Sequence, residues 1–409
     1  VRVTTRLQEI AIRIQPRLLS FAGRLEANPI VSGLKQAFSE LNLLLLGLSA
    51  ILMLRTFNQW WGHFSGLATV STQAATTILS VMSLLFVVLL TQALMNSRPD
   101  GGAITVVNVA AYAIVNARLQ QVGSGNPFIL ACVMTAVTVG LWALLTWGQK
   151  KLAPIDSQLA ALRHFLAVCV VAGYLLGLAW MMQRIPVIGM QTALGWLTMD
   201  HPFWVFVLVF VEMGLWYIGI NGYGVLAPVV FLFAYRNLTV DLGAIASNRA
   251  PQAILTPNFW DYFLSFSGAG LVGALVILCL VNPNPDLKRL GRSSFSSILF
   301  SVSEPILYGL PITMNPYLLV PFLFGTPLLG VAQWFVFKLG WVALPAFHVA
   351  DLPLPFSVLL STLDWRSLVL AAVTIAVATA MYAPGLIRWS KVRPADTSDD
   401  DFTDLDVDF

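Results

Sequence analysis

The chain has 409 residues, of which 57% are hydrophobic and only 11% charged, and its mean hydropathy is +0.78. Soluble domains carry about 25% charged residues, so a soluble globular fold is excluded and an all-α polytopic membrane protein is expected. The net charge of +3 is small, and the basic residues fall where membrane topology would put them, which argues against nucleic-acid binding.

In chain order, residues 1–28 come first. At 100° per residue Arg2, Arg6, Glu9, Arg13, Arg17 and Arg24 share one face, while Leu7, Ile10, Ile14, Leu18 and Phe21 cover much of the rest. This predicts an amphipathic helix on the inner membrane surface, bent at Pro16, rather than a secretory signal, whose core carries no charge. Apolar runs follow at 36–56, 68–96, 127–148, 162–182, 202–234, 262–282, 316–343 and 357–384. Each can cross a hydrocarbon core of roughly 30 Å. Segments 101–120, 186–199, 256–270 and 295–315 are less regular and are candidates for short, tilted or re-entrant elements. About eight to ten crossings are expected.

Basic clusters at the N-terminus, at Lys150, Lys151 and Arg163, at Lys288, Arg289 and Arg292, and at Arg388, Lys391 and Arg393 flank these runs. The positive-inside rule makes them cytoplasmic, and both termini with them. Arg55 and Arg184 are exceptions, expected to snorkel from helix ends. Trp60, Trp61, Trp147 and Trp389 read as interface anchors. Cys132, Cys169 and Cys279 have no partner at ligand spacing and read as small core residues. His63, His164, His201 and His348 are scattered and read as loop or interfacial residues, so no metal and no cofactor is expected. The last segment, 391–409, with Asp396, Asp399, Asp400, Asp401, Asp404, Asp406 and Asp408, reads as an acidic tail or linker; it lacks the glycine and terminal glutamate of a calcium loop.

One carboxylate stands out. Ser303-Glu304-Pro305-Ile306-Leu307-Tyr308-Gly309-Leu310-Pro311, followed by Asn315-Pro316, sets an acid among prolines and glycines inside an otherwise apolar stretch. Broken backbone and a charge are tolerated at membrane depth only where they line a cavity, so Glu304 is a candidate ligand residue; capping a broken helix is the simpler alternative. Asn221-Gly222 interrupts the run 202–234 in the same way, and Ser267-Gly268-Ala269-Gly270 marks either a hairpin tip or small-residue helix packing. Glu212 lies one turn before Trp216 in an apolar run, where pairing with Arg55, Arg184 or a hydroxyl competes with a substrate role.

These segments, in this order, resemble the membrane components (enzyme IIC) of the phosphoenolpyruvate-dependent sugar phosphotransferase system, in the lactose, cellobiose and diacetylchitobiose group. Residues Phe300 to Pro311 with Asn315-Pro316 are similar to that family's F-N-I-N-E-P-x-x-F-G-x-P…N-P signature, and Trp216 to Gly222 to its W-F-F-G-I-H-G. Phe266 to Gly270 resembles its G-G-S-G-A-T segment; Asp364-Trp365-Arg366 and Tyr382-Ala383-Pro384 resemble its G-D-W-R and Y-x-P.

The resemblance implies a homodimer with a static interface domain, here 29–165, and a sugar-binding transport domain, here 166–390, that carries two re-entrant hairpins and moves as an elevator. It implies that Glu304 bonds the sugar 6-hydroxyl, the group phosphorylated by a separate cytoplasmic IIB partner, which would hold the phosphoryl donor. The substrate-binding set it implies or suggests is Trp216, Asn221, Gly222, Ser267, Gly268, Ser303, Glu304 and Asp351, around a disaccharide or related glycan. The chain departs from the family at Asn221, where the relatives have histidine; at Ser301 and Ser303, where they have asparagine; and near Asp351, where they have a sugar-stacking tryptophan. Those departures motivate an alternative, a sugar-sensing input domain that regulates a cytoplasmic output domain. An ion-coupled transporter using Glu212 and Glu304 is a third reading.

Overall fold

A computed structural model describes residues 20, 23–24, 27–62, 64, 66–95, 98, 100–122, 126–152, 160–184, 199–310, 312–349 and 352–392. The regular elements among them are helical. The expected surface helix at 1–28 lies almost entirely outside the described residues, as do Asp351, Pro311 and the acidic segment from 393 onward.

The N-terminal part is a bundle of long helices: α1 (Pro29–Trp61), α2 (Leu67–Met95), α3 (Gly101–Val122), α4 (Pro127–Leu152) and α5 (Ala160–Arg184). Asn28 starts α1 by accepting from the Ile30 amide at 2.9 Å, with Pro29 at the first helical position, and Gly62 ends it at φ +66°. The bundle is tied by a buried polar network. Asn108 Nδ2 donates to Thr91 Oγ1 at 2.7 Å and Thr135 Oγ1 at 2.8 Å, while Thr138 donates to Asn108 Oδ1 at 3.1 Å. An amide unpaired at this depth would cost several kcal/mol, so the network fixes α2, α3 and α4 in one register.

The C-terminal part is built from shorter and broken helices: α6 (Pro202–Tyr217), α7 (Gly222–Ala246), α8 (Gly273–Val281), α9 (Pro285–Leu299), α10 (Glu304–Gly309), α11 (Thr326–Lys338), α12 (Phe356–Thr362) and α13 (Arg366–Val392). A polar residue followed by proline starts several of them. His201-Pro202 opens α6, Asn284-Pro285 opens α9, and Thr256-Pro257 opens a turn that passes into a π-helix at Trp260–Leu264. That π-helix, the tip at 265–272 and α8 form a pair bent by 49°. The basic cluster Lys288, Arg289 and Arg292 lies on the exposed face of α9, with Leu287, Gly291, Ser294 and Ile298 buried on the other.

Six of the described helices are long and apolar enough to cross a membrane, or seven with the bent pair. The run 202–234 divides at 218–221 into α6 and α7, and the run 316–343 holds a π-helix at Pro321–Gly325 before α11, so runs that are continuous in sequence are not continuous as helices.

Two cores result, and α7 belongs to both. Its Val230 and Ala234 join the C-terminal core, while Tyr235, Leu238, Leu242 and Ala246 join the N-terminal one. Phe38 of α1 stacks near Phe86 and Tyr235, each at 4.8 Å between ring centroids, so aromatic contacts run across the expected boundary at 165. Arg55 corrects the snorkelling expectation. It is buried and donates to the carbonyls of Ile245 at 3.0 Å and Ala246 at 2.6 Å, where a cation meets the partial negative charge at the end of α7. Cysteines differ too: Cys279 is core, whereas Cys169 is exposed on α5.

Candidate functional site

Two broken tips meet, the one at 265–272 and a second at 300–304 where α9 gives way to α10. Gly268, at φ +92°, stands against Ser303, so close that a Cβ there would lie 2.7 Å from the Ser303 Cβ. Only a residue without a Cβ accepts both that backbone angle and that approach. The first tip is held from behind by Tyr382, whose hydroxyl donates to the Gly270 carbonyl at 2.6 Å, and by Thr326, which donates to the same oxygen at 3.3 Å. Tyr382 therefore acts as a brace for the hairpin. Asp364 is likewise structural, accepting from the Ala343 amide at 3.0 Å and the Arg366 amide at 3.0 Å.

The meeting tips form one wall of a cavity of about 590 Å³. Trp216, Asn221, Ser303 and Glu304 line it together. α6, the start of α7 and the second tip supply them, and α1 adds Lys35, Phe38, Ser39 and Asn42 to the lining. Glu304 is exposed at the first position of α10, and Ser303 before it makes no side-chain capping bond. Asn221 is the N-cap of α7, its Oδ1 accepting from the Gly224 amide at 2.8 Å, so it has a capping role as well as a place at the cavity.

Gly222, Ser267 and Gly268 stand behind the lining. A Cβ at Gly222 would collide with the Glu212 carbonyl, so glycine there lets α7 start against α6 and sets Asn221 beside the cavity. Ser267 is 4% exposed, its hydroxyl turned to the Phe266 carbonyl, and it abuts Gly273 inside the hairpin.

Several lining residues escape the sequence reading. Asp261 accepts from the Tyr223 hydroxyl at 3.1 Å, and Tyr235 donates to Asn42 Oδ1 at 3.3 Å. His348, expected as a loop or interfacial residue, is buried against the cavity, with Nδ1 2.7 Å from Asn258 Oδ1 and its amide donating to Ser49 Oγ at 2.8 Å. Outside the spanning helices, burial pushes this imidazole down to about 4, because a charged ring there would lose its hydration. Tyr262 bonds the backbone of the adjacent Val349. Asp261 carried the same signal as Glu304, an acid in an irregular apolar segment; nothing in the neighbourhood of His348 marked it.

Glu212 also lines the cavity, and it pairs with neither arginine considered for it. Arg55 is committed to α7, and the Arg184 guanidinium lies over the Trp180 ring at 4.9 Å. Three lining residues keep a buried polar atom without a hydrogen-bond partner: Glu212 Oε1, Trp216 Nε1 and His348 Nε2. Buried polar atoms in folded proteins are normally satisfied, so this concentration marks a place where a polar ligand completes the bonding. Among the described residues no group of histidine, cysteine and acidic side chains has the makings of a metal site.

Comparisons with known proteins agree with this architecture. The crystal structure of the transporter ChbC, the IIC component from the N,N'-diacetylchitobiose-specific phosphotransferase system, superposes with a TM-score of 0.74 at 19% identity, over 92% of this chain and 97% of that one. That likeness concerns the fold. The chain is 31% identical over 194 residues, 46% of its length, to the lichenan permease IIC component of Bacillus subtilis, and 30% identical over 174 residues, 41% of its length, to the lactose-specific EIICB component of Lacticaseibacillus casei. The matched stretches span 43% and 30% of those relatives. The profile of the phosphotransferase system EIIC family matches residues 42–326, more than half of the chain. The chain belongs to the EIIC family of the phosphotransferase system.

Proposed function

We propose that the protein is a sugar permease of the phosphotransferase system that binds a disaccharide or related glycan in this cavity and delivers it for phosphorylation by a cytoplasmic IIB partner. The observation that carries the reading is the meeting of Gly268 and Ser303, which brings Glu304 to a cavity also lined by Asn221 and Trp216. Its volume of about 590 Å³ is in the range of small-molecule sites. Glu304, an exposed carboxylate, is suited to accept a sugar hydroxyl proton as phosphoryl transfer proceeds.

Sidedness follows from charge. The part of α1 that lines the cavity, around Lys35, lies near its N-terminal end, on the arginine-rich side of the chain, which we assign to the cytoplasm of a bacterial inner membrane. The cavity is then presented to the side from which a phosphoryl donor comes. An elevator motion would carry the broken-helix part past the N-terminal bundle, with two copies paired through that bundle. Crosslinks confined to the C-terminal part would contradict the pairing.

Reconstitution in vesicles with a IIB protein and labelled disaccharides is the test, with sugar phosphate inside the vesicles as the expected product. Asn221 favours a second reading, a sugar sensor, because it puts a capping amide where the relatives have a titratable ring. Sugar binding without phosphorylated product across a range of IIB partners would favour that reading over the permease.

A further inference from the structure

We propose that the cavity takes a glycan bearing a basic amine, with the Glu212 and Asp261 carboxylates receiving its ammonium group. This names the substrate class of the sugar site and rests on that reading.

The lining is acidic. Glu212, Asp261 and Glu304 face the cavity, and Lys35 is the cationic side chain on its described wall. Glu304 sits exposed at the mouth, whereas Glu212 is 1% exposed and Asp261 is half-buried behind it. A carboxylate withdrawn from water needs a proton, a cation or several hydrogen bonds. Glu212 Oε1 has no hydrogen-bond partner, and both arginines considered for it are engaged elsewhere. Asp261 accepts from the Tyr223 hydroxyl. A sugar hydroxyl would give Glu212 Oε1 a hydrogen bond but no cation. An ammonium group supplies both, with three donors to divide between two carboxylates.

The remaining wall suits the same group. Trp216, Tyr223 and Phe231 offer aromatic rings beside the acids, and ring faces attract cations. Apolar walls concentrate the potential of the carboxylates within the cavity rather than letting solvent screen it. His348 adds no competing charge, since its burial keeps it neutral and Asn258 holds its Nδ1.

The experiment is equilibrium binding to the full chain in lipid nanodiscs of three matched β-1,4 disaccharides: the diglucosamine form, its N-acetylated form and cellobiose. The amine should bind at least about tenfold more tightly than either neutral sugar, the gain of a charge-assisted pair. In Glu212→Gln, and separately in Asp261→Asn, that preference should fall to within about threefold. Because the ratio is taken within each variant, a general loss of packing does not mimic the result, and the second variant serves if the first does not fold. Equal binding of amine and neutral sugars by the native chain overturns the proposal and leaves the sugar reading standing. Binding of none of the three overturns both. An acyclic diamine that binds as tightly as the amino disaccharide overturns the glycan and keeps only an amine site. A preference that persists in both folded variants removes Glu212 and Asp261 from the role.

Discussion

The Tyr382 hydroxyl lies 2.6 Å from the Gly270 carbonyl oxygen and donates to it, so the long C-terminal helix braces the first hairpin at its tip. Thr326 gives the same oxygen a weaker second bond at 3.3 Å. Tyr382→Phe removes one of the two and should cost about 1 kcal/mol, seen as a lower unfolding temperature in detergent. Adding Thr326→Val leaves a buried carbonyl unpaired, at about 1–3 kcal/mol, so the double variant should lose more than the sum of the singles. Strict additivity would mean that the two side chains do not share this carbonyl.

Gly268→Ala tests the meeting of the tips. The new methyl would stand 2.7 Å from the Ser303 Cβ on a backbone at φ +92°. Overpacking of this kind costs about 1–3 kcal/mol, to which the left-handed conformation adds about 1 kcal/mol. Ser303→Gly in the same chain removes the closest contact but neither the tight approach of the Ser303 Cα at 3.1 Å nor the backbone cost, so thermal stability should recover in part. Full stability of Gly268→Ala alone would show that the tips are not in contact.

Glu304→Gln separates binding from folding. The side chain is exposed at the cavity mouth, so the variant should elute and unfold as the native chain does. Loss of a charged acceptor weakens a hydroxyl bond by roughly 1.5 kcal/mol or more, so sugar affinity measured by calorimetry should drop at least about tenfold. Unchanged affinity and transport would remove Glu304 from the site.

The fold class was legible because composition alone rules out a soluble domain, and the broken segments were legible because proline and glycine are expensive inside spanning helices. Glu304, Asn221, Trp216 and Ser303, all found by that logic or by the family motifs, line one cavity. What was not legible depends on contact between distant segments. Arg55 looks like a misplaced interfacial charge until α7 ends beside it 190 residues later. His348 looks like a loop residue until Ser49 and Asn258 close around it. Gly222 reads as a ligand contact in the motif, yet its lack of a side chain is what lets α7 begin against the Glu212 backbone.

Asn221 gives the last prediction. Its Oδ1 caps α7 by accepting from the Gly224 amide, so Asn221→Ala should cost about 1 kcal/mol in stability whatever the ligand does. Histidine can keep the cap. His201 Nδ1 accepts from the Phe203 amide at 3.2 Å at the start of α6, an arrangement an imidazole at the head of α7 could repeat. Asn221→His should therefore fold, and its free ring nitrogen would face the cavity with a group that can hydrogen-bond a sugar hydroxyl and offset negative charge as a phosphoryl group arrives. In vesicles supplied with a IIB protein, its rate of sugar phosphate formation should equal or exceed that of the native chain, with Asn221→Ala slower than both. A histidine variant that is as stable as the native chain yet forms product more slowly would show that the asparagine amide itself, rather than a ring, is the group suited to this chain's sugar.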